Sequence, residues 1–461
     1  MTVPLHPTPE AALTVEALLA DLERAVAAGD GALATTLERL ILQRLFQAAV
    51  ERDALERRTR ELMAMLAAAR AASIATDEPT MHGLATKALN PRGEQSFSFD
   101  TELGATKPLS PRAGQSSSFD AGPGAEPHQD AAPNGGVVYP VWFATNRRRN
   151  ALDSGYGGER GDSVSRGRVD VFVPDAHRFG ETGTGFFGRL KRLDLSDDRL
   201  RVQAVTTQER DAFFSGLKQA MAEAPAADAA PDALVFIHGF RTTFEDAALR
   251  AAQIGFDLGV APGGAGFFSW PSKGELKGYP ADEASIEASE RAIADFLVDF
   301  AANCGARKVH LIAHSMGNRG LLRALQRIAA SAAAGTVKFG QIFLAAPDLD
   351  RDLFLDLAHL YPTYSERTTL YASDRDLPVH LSSKLHDAPR AGYFTPYTVA
   401  AHIDTVCVPD FDVDLIGHGY FAQAEALLYD IGDLMRSNQS PPRQRIAAMV
   451  EGDQSFWRIK R

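Results

Sequence analysis

Three features of the chain point to a doubly wound α/β domain with a mostly parallel sheet, preceded by an α-helical segment and an unstructured linker. From Ala233 to residue 436, near-continuous apolar runs of strand length alternate with stretches of helical periodicity. Such strands are buried on both faces, and helices on each side of a parallel sheet supply that burial. One run, VHLIAHSMGNRG at 309–320, breaks directly from strand into helix at a serine. Between Thr76 and Gly136 there is no Val, Ile, Trp, Tyr or Cys, and Pro, Gly, Ser and Asp dominate, a composition that cannot bury enough apolar surface to offset the entropy of ordering.

The first 75 residues read as a helical module. Leu18, Leu19, Leu22 and Val26, then Leu33, Leu37, Leu40 and Leu45, then Leu55, Leu62 and Leu66 recur at helical spacing, and Gly29-Asp30-Gly31 stops one helix before the next begins. An αα-hairpin follows, whose single apolar stripe must be covered by the rest of the chain, by another copy or by a protein partner. Residues 10–70 are therefore the expected site of self-association or partner binding. The linker at 76–136 holds a near-repeat, ATKALNPRGEQSFSFD at 85–100 and ATKPLSPRAGQSSSFD at 105–120, too short and polar to build a solenoid.

Order resumes with VVYPVWFATNRRRN at 137–150, followed by the strand-like RVDVFVP (168–174) and LRVQAVTT (200–207). ALVFIHGF (233–240) precedes a helix at 243–258, AGFFSWP (265–271) one at 283–303, and KVHLIAHS (308–315) one at 318–332. GQIFLAAPDLD (340–350) leads into a short helix, then come the strands RTTLYASDRD (367–376) and DTVCVPDF (404–411), and a last helix at 419–436. The domain is expected to span 137–440, with 441–461 as a C-terminal tail.

Composition narrows the function. The 461 residues carry a formal net charge of −11, which disfavours nucleic acid as a partner. The cysteines, Cys304 and Cys407, are too few for a disulfide framework and are not at metal-ligand spacing. No uninterrupted apolar stretch is long enough to span a bilayer, and the N-terminus lacks the basic region and apolar core of a signal peptide. A cytoplasmic protein without metal or cofactor is expected.

The serine at the strand–helix break carries the chemistry. A turn tight enough to hold a serine in strained geometry needs small residues two positions either side, and these are Ala313 and Gly317 around Ser315. Such a nucleophile elbow lifts Oγ above the carboxyl edge of the sheet and aims the Met316 amide at a developing oxyanion. Its acid and histidine should follow in that order, each on a loop after a later strand. His418, between two glycines and just ahead of the last helix, is the candidate base. Asp376, after TTLYAS, is the favoured acid, with Asp374, Asp350 and Asp348 as alternatives. A second oxyanion donor should come from the loop after an earlier strand, and HGFR at 238–241 offers the amide of Phe240 or Arg241. His238 has no second ligand at a metal-binding interval and reads as a brace of that loop. Trp142, Phe268 and Trp270 are weak candidates to line an acyl pocket, since aromatic residues on strands more often belong to the core.

Together YPVWFATNRRRN, VFIHGFRTTFEDAALRAAQI, FFSWPSKG, LIAHSMGNRGLLRAL, LAAPDLDRDLF, YASDRDLPV and GHGYF resemble the bacterial α/β-hydrolase family of unknown function known as DUF900, in the esterase/lipase superfamily. The resemblance covers about residues 137–437 and keeps the motifs in order. It implies an α/β-hydrolase fold with Ser315 as nucleophile, His418 as base and Asp376 as acid. D-R-D stands where members often keep one acid, so Asp374 stays open. The expected activity is a serine hydrolase that cleaves a small-molecule ester, thioester or amide through an acyl-enzyme. The alternative is an inactive hydrolase scaffold acting as an interaction module through its N-terminal helices.

Overall fold

The computed structural model describes residues 135–150, 155–182, 199–224, 231–373, 379, 382–383, 386–394, 396–408 and 421–460, with Asp21, Arg24 and Leu33 as isolated helical positions. The rest of the helical module and all of the linker lie outside the described residues. The chain divides into two units, one of Met1–Ala54 with Ala131–Arg461 and the other of Leu55–Asp130. Every element below belongs to the first.

Eleven strands form one sheet in the order β10-β11-β9-β8-β7-β6-β4-β5-β1-β2-β3. They are β1 (Gly136–Arg149), β2 (Tyr156–Pro174), β3 (Arg201–Gln208), β4 (Ala233–Ile237), β5 (Ala265–Ser269), β6 (Val309–His314), β7 (Phe339–Ala345), β8 (Ser365–Ala372), β9 (Ile403–Cys407), β10 (Ile446–Glu451) and β11 (Gln454–Ile459). From β1 through β5, β4, β6, β7, β8 and β9 to β11 every neighbouring pair is parallel. The β1–β2–β3 ribbon and the β10–β11 hairpin are antiparallel. The helices are α1 (Arg210–Glu223), α2 (Phe244–Asp257), α3 (Tyr279–Ala288), α4 (Glu290–Asn303), α5 (Gly317–Ala329), α6 (Arg351–Leu357), α7 (Leu360–Tyr364) and α8 (Phe421–Ser437). Among the described residues, no helix is long and apolar enough to cross a membrane.

The period-2 alternation of the central strands divides the core. Val235, Ile237, Leu311 and Ala313 face a layer with α1, α4 and α5, whereas Leu234, Phe236 and Ile312 face one with α2 and α8. All of β4, β5, β6 and β7 is buried, as near-continuous apolar runs require in a parallel sheet covered on both sides.

Three elements differ from expectation. Residues 446–459 are no tail: the hairpin β10–β11 extends the sheet, with Trp457 and Arg458 paired to Val406 and Cys407 of β9. The segment 283–303 is two helices, because Ser289 is buried, its hydroxyl donates back to the Ser285 carbonyl at 2.6 Å, and Asn146 Nδ2 donates to that hydroxyl at 2.9 Å. An additional helix, α1, buries Phe213, Phe214, Leu217 and Met221.

Candidate active site

Ser315 stands between β6 and α5 with φ 50°, a left-handed conformation that costs a non-glycine residue roughly 1–3 kcal/mol. Two other non-glycine residues with positive φ, Arg241 (57°) after β4 and Ala346 (44°) after β7, flank it at the carboxyl ends of the adjoining strands. The elbow is held by its backbone. Ser315 N donates to the Ala345 carbonyl at 2.9 Å, and the Ser315 carbonyl accepts from Asn318 N at 3.1 Å and Asp348 N at 3.2 Å. Buried Asn318 adds Nδ2 contacts to the carbonyls of Ala313 (3.1 Å), Ser315 (3.0 Å) and Ala345 (3.3 Å). Asn318 was not singled out in the sequence, although an amide in the first turn after an elbow serine is a usable signal, because its NH2 group can donate to the carbonyls where the strands end.

Two glycines set the close approaches. A Cβ on Gly317 would lie 2.5 Å from the His238 carbonyl oxygen and 2.8 Å from that of Ile237, so α5 starts against the end of β4. A Cβ on Gly239 would lie 2.9 Å from Ser315 Cβ, which brings the turn after β4 directly onto the serine. Among the described residues, the Phe240 and Met316 amides have no protein acceptor, whereas the Arg241 amide faces Asp282 Oδ2 at 3.4 Å. Of the two candidate donors in this turn, Phe240 is the one left open.

His238 is buried, with Nδ1 at 2.8 Å from the Gly239 carbonyl. A carbonyl only accepts, so Nδ1 carries the proton, and Nε2 faces Ser269 Oγ at 3.3 Å and Arg147 Nη2 at 3.4 Å. Burial first, then the Arg147 charge, push its pKa well below the ordinary range. The ring stacks on Trp270 at 4.9 Å, and Trp270 Nε1 donates to the His238 carbonyl at 2.8 Å. His238 and Trp270 thus brace the turn. Beside the serine, His314 is buried, neither ring nitrogen has a partner among the described residues, and burial lowers its pKa to about 3.

Asp348 and Asp350 have other work. Asp348 is buried, and its carboxylate accepts from Tyr279 OH (2.6 Å), Ser382 Oγ (2.6 Å) and Arg319 Nη2 (3.3 Å). Arg319 also reaches the Asp348 carbonyl at 2.6 Å and pairs with Glu283. Asp350 caps α6, accepting from the amides of Asp352 and Leu353, each at 3.0 Å. Asp374, Asp376 and His418 lie outside the described residues. The strands that lead to them do not: β8, which pairs with β7, ends at Ala372, and β9, which pairs with β8, ends at Cys407. Both run parallel to β6, so both chains leave the sheet at the edge that carries Ser315. Trp142 and Phe268 are core rather than pocket residues. Both are buried, and Trp142 packs edge-on against Phe213 at 5.4 Å, because at these positions the β1 and β5 side chains face the α1/α4 layer.

A family model described as an alpha/beta hydrolase of unknown function (DUF900) matches residues 217–436. No curated protein matches the chain. Among solved structures, an uncharacterized protein from Bacillus cereus ATCC 10987 is similar at 13% identity over 50% of this chain and 69% of its own, with a TM-score of 0.30. The esterase of Pyrobaculum calidifontis is similar at 11% identity over 50% and 94%, with a TM-score of 0.27. A fungal esterase from Rhizomucor miehei is similar at 10% identity over 59% and 79%, with a TM-score of 0.30. Likenesses at this level do not bear on the chemistry.

Proposed function

We propose that the chain, whose residues 217–436 match the model of the α/β-hydrolase family of unknown function DUF900, is a serine hydrolase of small-molecule esters, thioesters or amides. Ser315 Oγ attacks the acyl carbonyl while His418 takes its proton. The Phe240 and Met316 amides receive the charge that develops on the carbonyl oxygen, and the leaving group departs with the proton from His418. Water activated by His418 then releases the acyl group from Ser315, and Asp376 holds the imidazole tautomer and stabilises its cation.

The observation that carries this reading is the left-handed Ser315 at the junction of β6 and α5, with Gly239 packed against its Cβ. A packed scaffold gains nothing from strain at a half-buried strand end, whereas a nucleophile gains its place above the sheet. Asp376 is favoured as acid because Asp348 is taken up by Tyr279, Ser382 and Arg319 and Asp350 caps a helix. Fluorophosphonate labelling tests the reading: wild type should label at one serine, and Ser315→Ala should not. A Ser315→Ala protein that hydrolyses p-nitrophenyl esters at the wild-type rate would refute it. Esters of graded chain length then define the acyl group.

A further inference from the structure

We infer that Arg147 is a positioning residue of this site, its guanidinium fixing the turn after β4 that presents the Phe240 amide; the inference rests on the Ser315 reading for its catalytic consequence. Arg147 lies near the end of β1, where the pairing with β2 shifts register on both sides of it, between Thr145 and Arg147 and again between Arg147 and Arg149. Register shifts of this kind re-aim a side chain. Arg147 is 2% exposed on a strand whose next two residues, Arg148 and Arg149, are exposed.

Its planar fork is nearly saturated. Nε donates to Ser269 Oγ at 2.8 Å, Nη1 to the carbonyls of Ser272 (2.9 Å) and Gly157 (3.1 Å), and Nη2 to the Thr242 carbonyl at 2.7 Å. One cation therefore joins β2, the end of β5, the segment after β5 and the turn that begins at His238. Thr242 is gripped from its other side as well, since its amide donates to Ser272 Oγ at 3.0 Å and that hydroxyl donates to Asp282 at 2.5 Å. Immediately beyond, Thr243 closes a capping box with Asp246 and starts α2. The turn is thus pinned at its far end, Gly239 is pressed on Ser315 at its near end, and Phe240 and Arg241 lie between, the Phe240 carbonyl accepting from Thr242 Oγ1 at 3.1 Å and the Arg241 amide facing Asp282 at 3.4 Å.

Burial lowers the Arg147 pKa, to about 9, while Asp282 and Asp246 pull it up, so the group is cationic at neutral pH. A cation confined there purely for stability would be costly, because a hydrophobic residue of similar volume often serves as well. What a hydrophobic residue cannot do is hold three carbonyls from different segments. Lysine cannot either, since its ammonium is a compact point charge without the fork.

The test uses full-length Arg147→Lys and Arg147→Met, with Ser272→Ala as a variant that loosens the same turn from its other side. Hydrogen exchange of the 238–243 peptide is read against that of β6, alongside kcat and KM on a p-nitrophenyl ester and affinity for an alkyl boronic acid. Expected are at least tenfold faster exchange at 238–243 with β6 unchanged, kcat down by about 10²-fold as for loss of an oxyanion donor, KM within about threefold, and boronate affinity falling with kcat. Unchanged exchange at 238–243 in a folded Arg147 variant, or kcat within twofold of wild type in Arg147→Lys, overturns the inference. Should the Arg147 variants not fold, Ser269→Ala, which removes the acceptor of Arg147 Nε, carries the decision: unchanged exchange at 238–243 overturns the inference. If the turn loosens as expected but wild-type protein neither labels nor turns over, the hydrolase reading fails and Arg147's hold on the turn stands.

Discussion

Replacing Gly317 by alanine tests whether the elbow is built by close approach of two backbones. The new Cβ would stand 2.5 Å from the His238 carbonyl oxygen. Carrying that contact out to 3.0 Å, near the limit a Cβ tolerates, moves α5 and the turn after β4 apart by about 0.5 Å. Neither partner can rotate away, because both colliding atoms belong to the backbone. Overpacking of this kind costs about 1–3 kcal/mol, or roughly 2–6 °C in melting temperature for a domain of this size. An ångström of misplacement is worth about a hundredfold in rate, so half of that predicts roughly tenfold slower fluorophosphonate labelling. Gly320→Ala, one turn along α5, is the control. Its Cβ would meet side chains and no backbone among its nearest atoms, Cδ1 of Ile286 and Ile293 at 2.6 and 2.7 Å and Cγ1 of Ile286 at 3.2 Å, which can give by rotation, and alanine favours the helix by up to about 1 kcal/mol. Melting curves and labelling rates of the two variants decide. If Gly317→Ala matches wild type in both, or if Gly320→Ala suffers equally, the close-approach argument is wrong.

His418→Ala should abolish labelling without changing the melting curve, and Asp376→Asn should lower kcat by about 10⁴-fold if it orients His418; a comparable loss in Asp374→Asn would move the acid to that residue. Asp350→Ala should cost about 1 kcal/mol in a denaturant titration through the lost cap of α6, with kcat unchanged. His238 and His314 are held neutral by burial, so the unfolded chain takes up protons from about pH 6.5 downward that the folded chain refuses. The His314 contribution is intact above that pH and is lost as pH falls toward about 3, at about 1.4 kcal/mol per unit, and that of His238 falls in the same direction; His314→Leu should visibly flatten the stability profile between pH 6.5 and 5. A chain beginning near Gly135 should fold and label like the full-length protein, and sedimentation of the two should differ in oligomeric state; loss of labelling on truncation would assign the helical module to the catalytic unit.

What the sequence disclosed and what it hid divide along a physical line. Strand identity was legible wherever burial on both faces forced an apolar run, and β4 to β9 fall within a few residues of their expected places. Ser315 was legible because a tight strand-to-helix turn leaves so few options at Ala313 and Gly317. The closing hairpin was not, since IAAMVE and QSFWRI alternate around a half-exposed edge and carry too little apolar sequence to stand out beside a charged end; Gly452, at φ 61°, was its turn signal. Arg147 and Asp282 were hidden for a deeper reason. Nothing in TNRRRN distinguishes the first arginine from the two after it, because its burial comes from a register shift and its acceptors from segments up to 125 positions away. A motif records which residues touch the reacting atoms' neighbours along the chain. The shell that holds those residues still is assembled from long-range pairings, so in this protein the tight turn at Ser315 could be read in one dimension while its support required three.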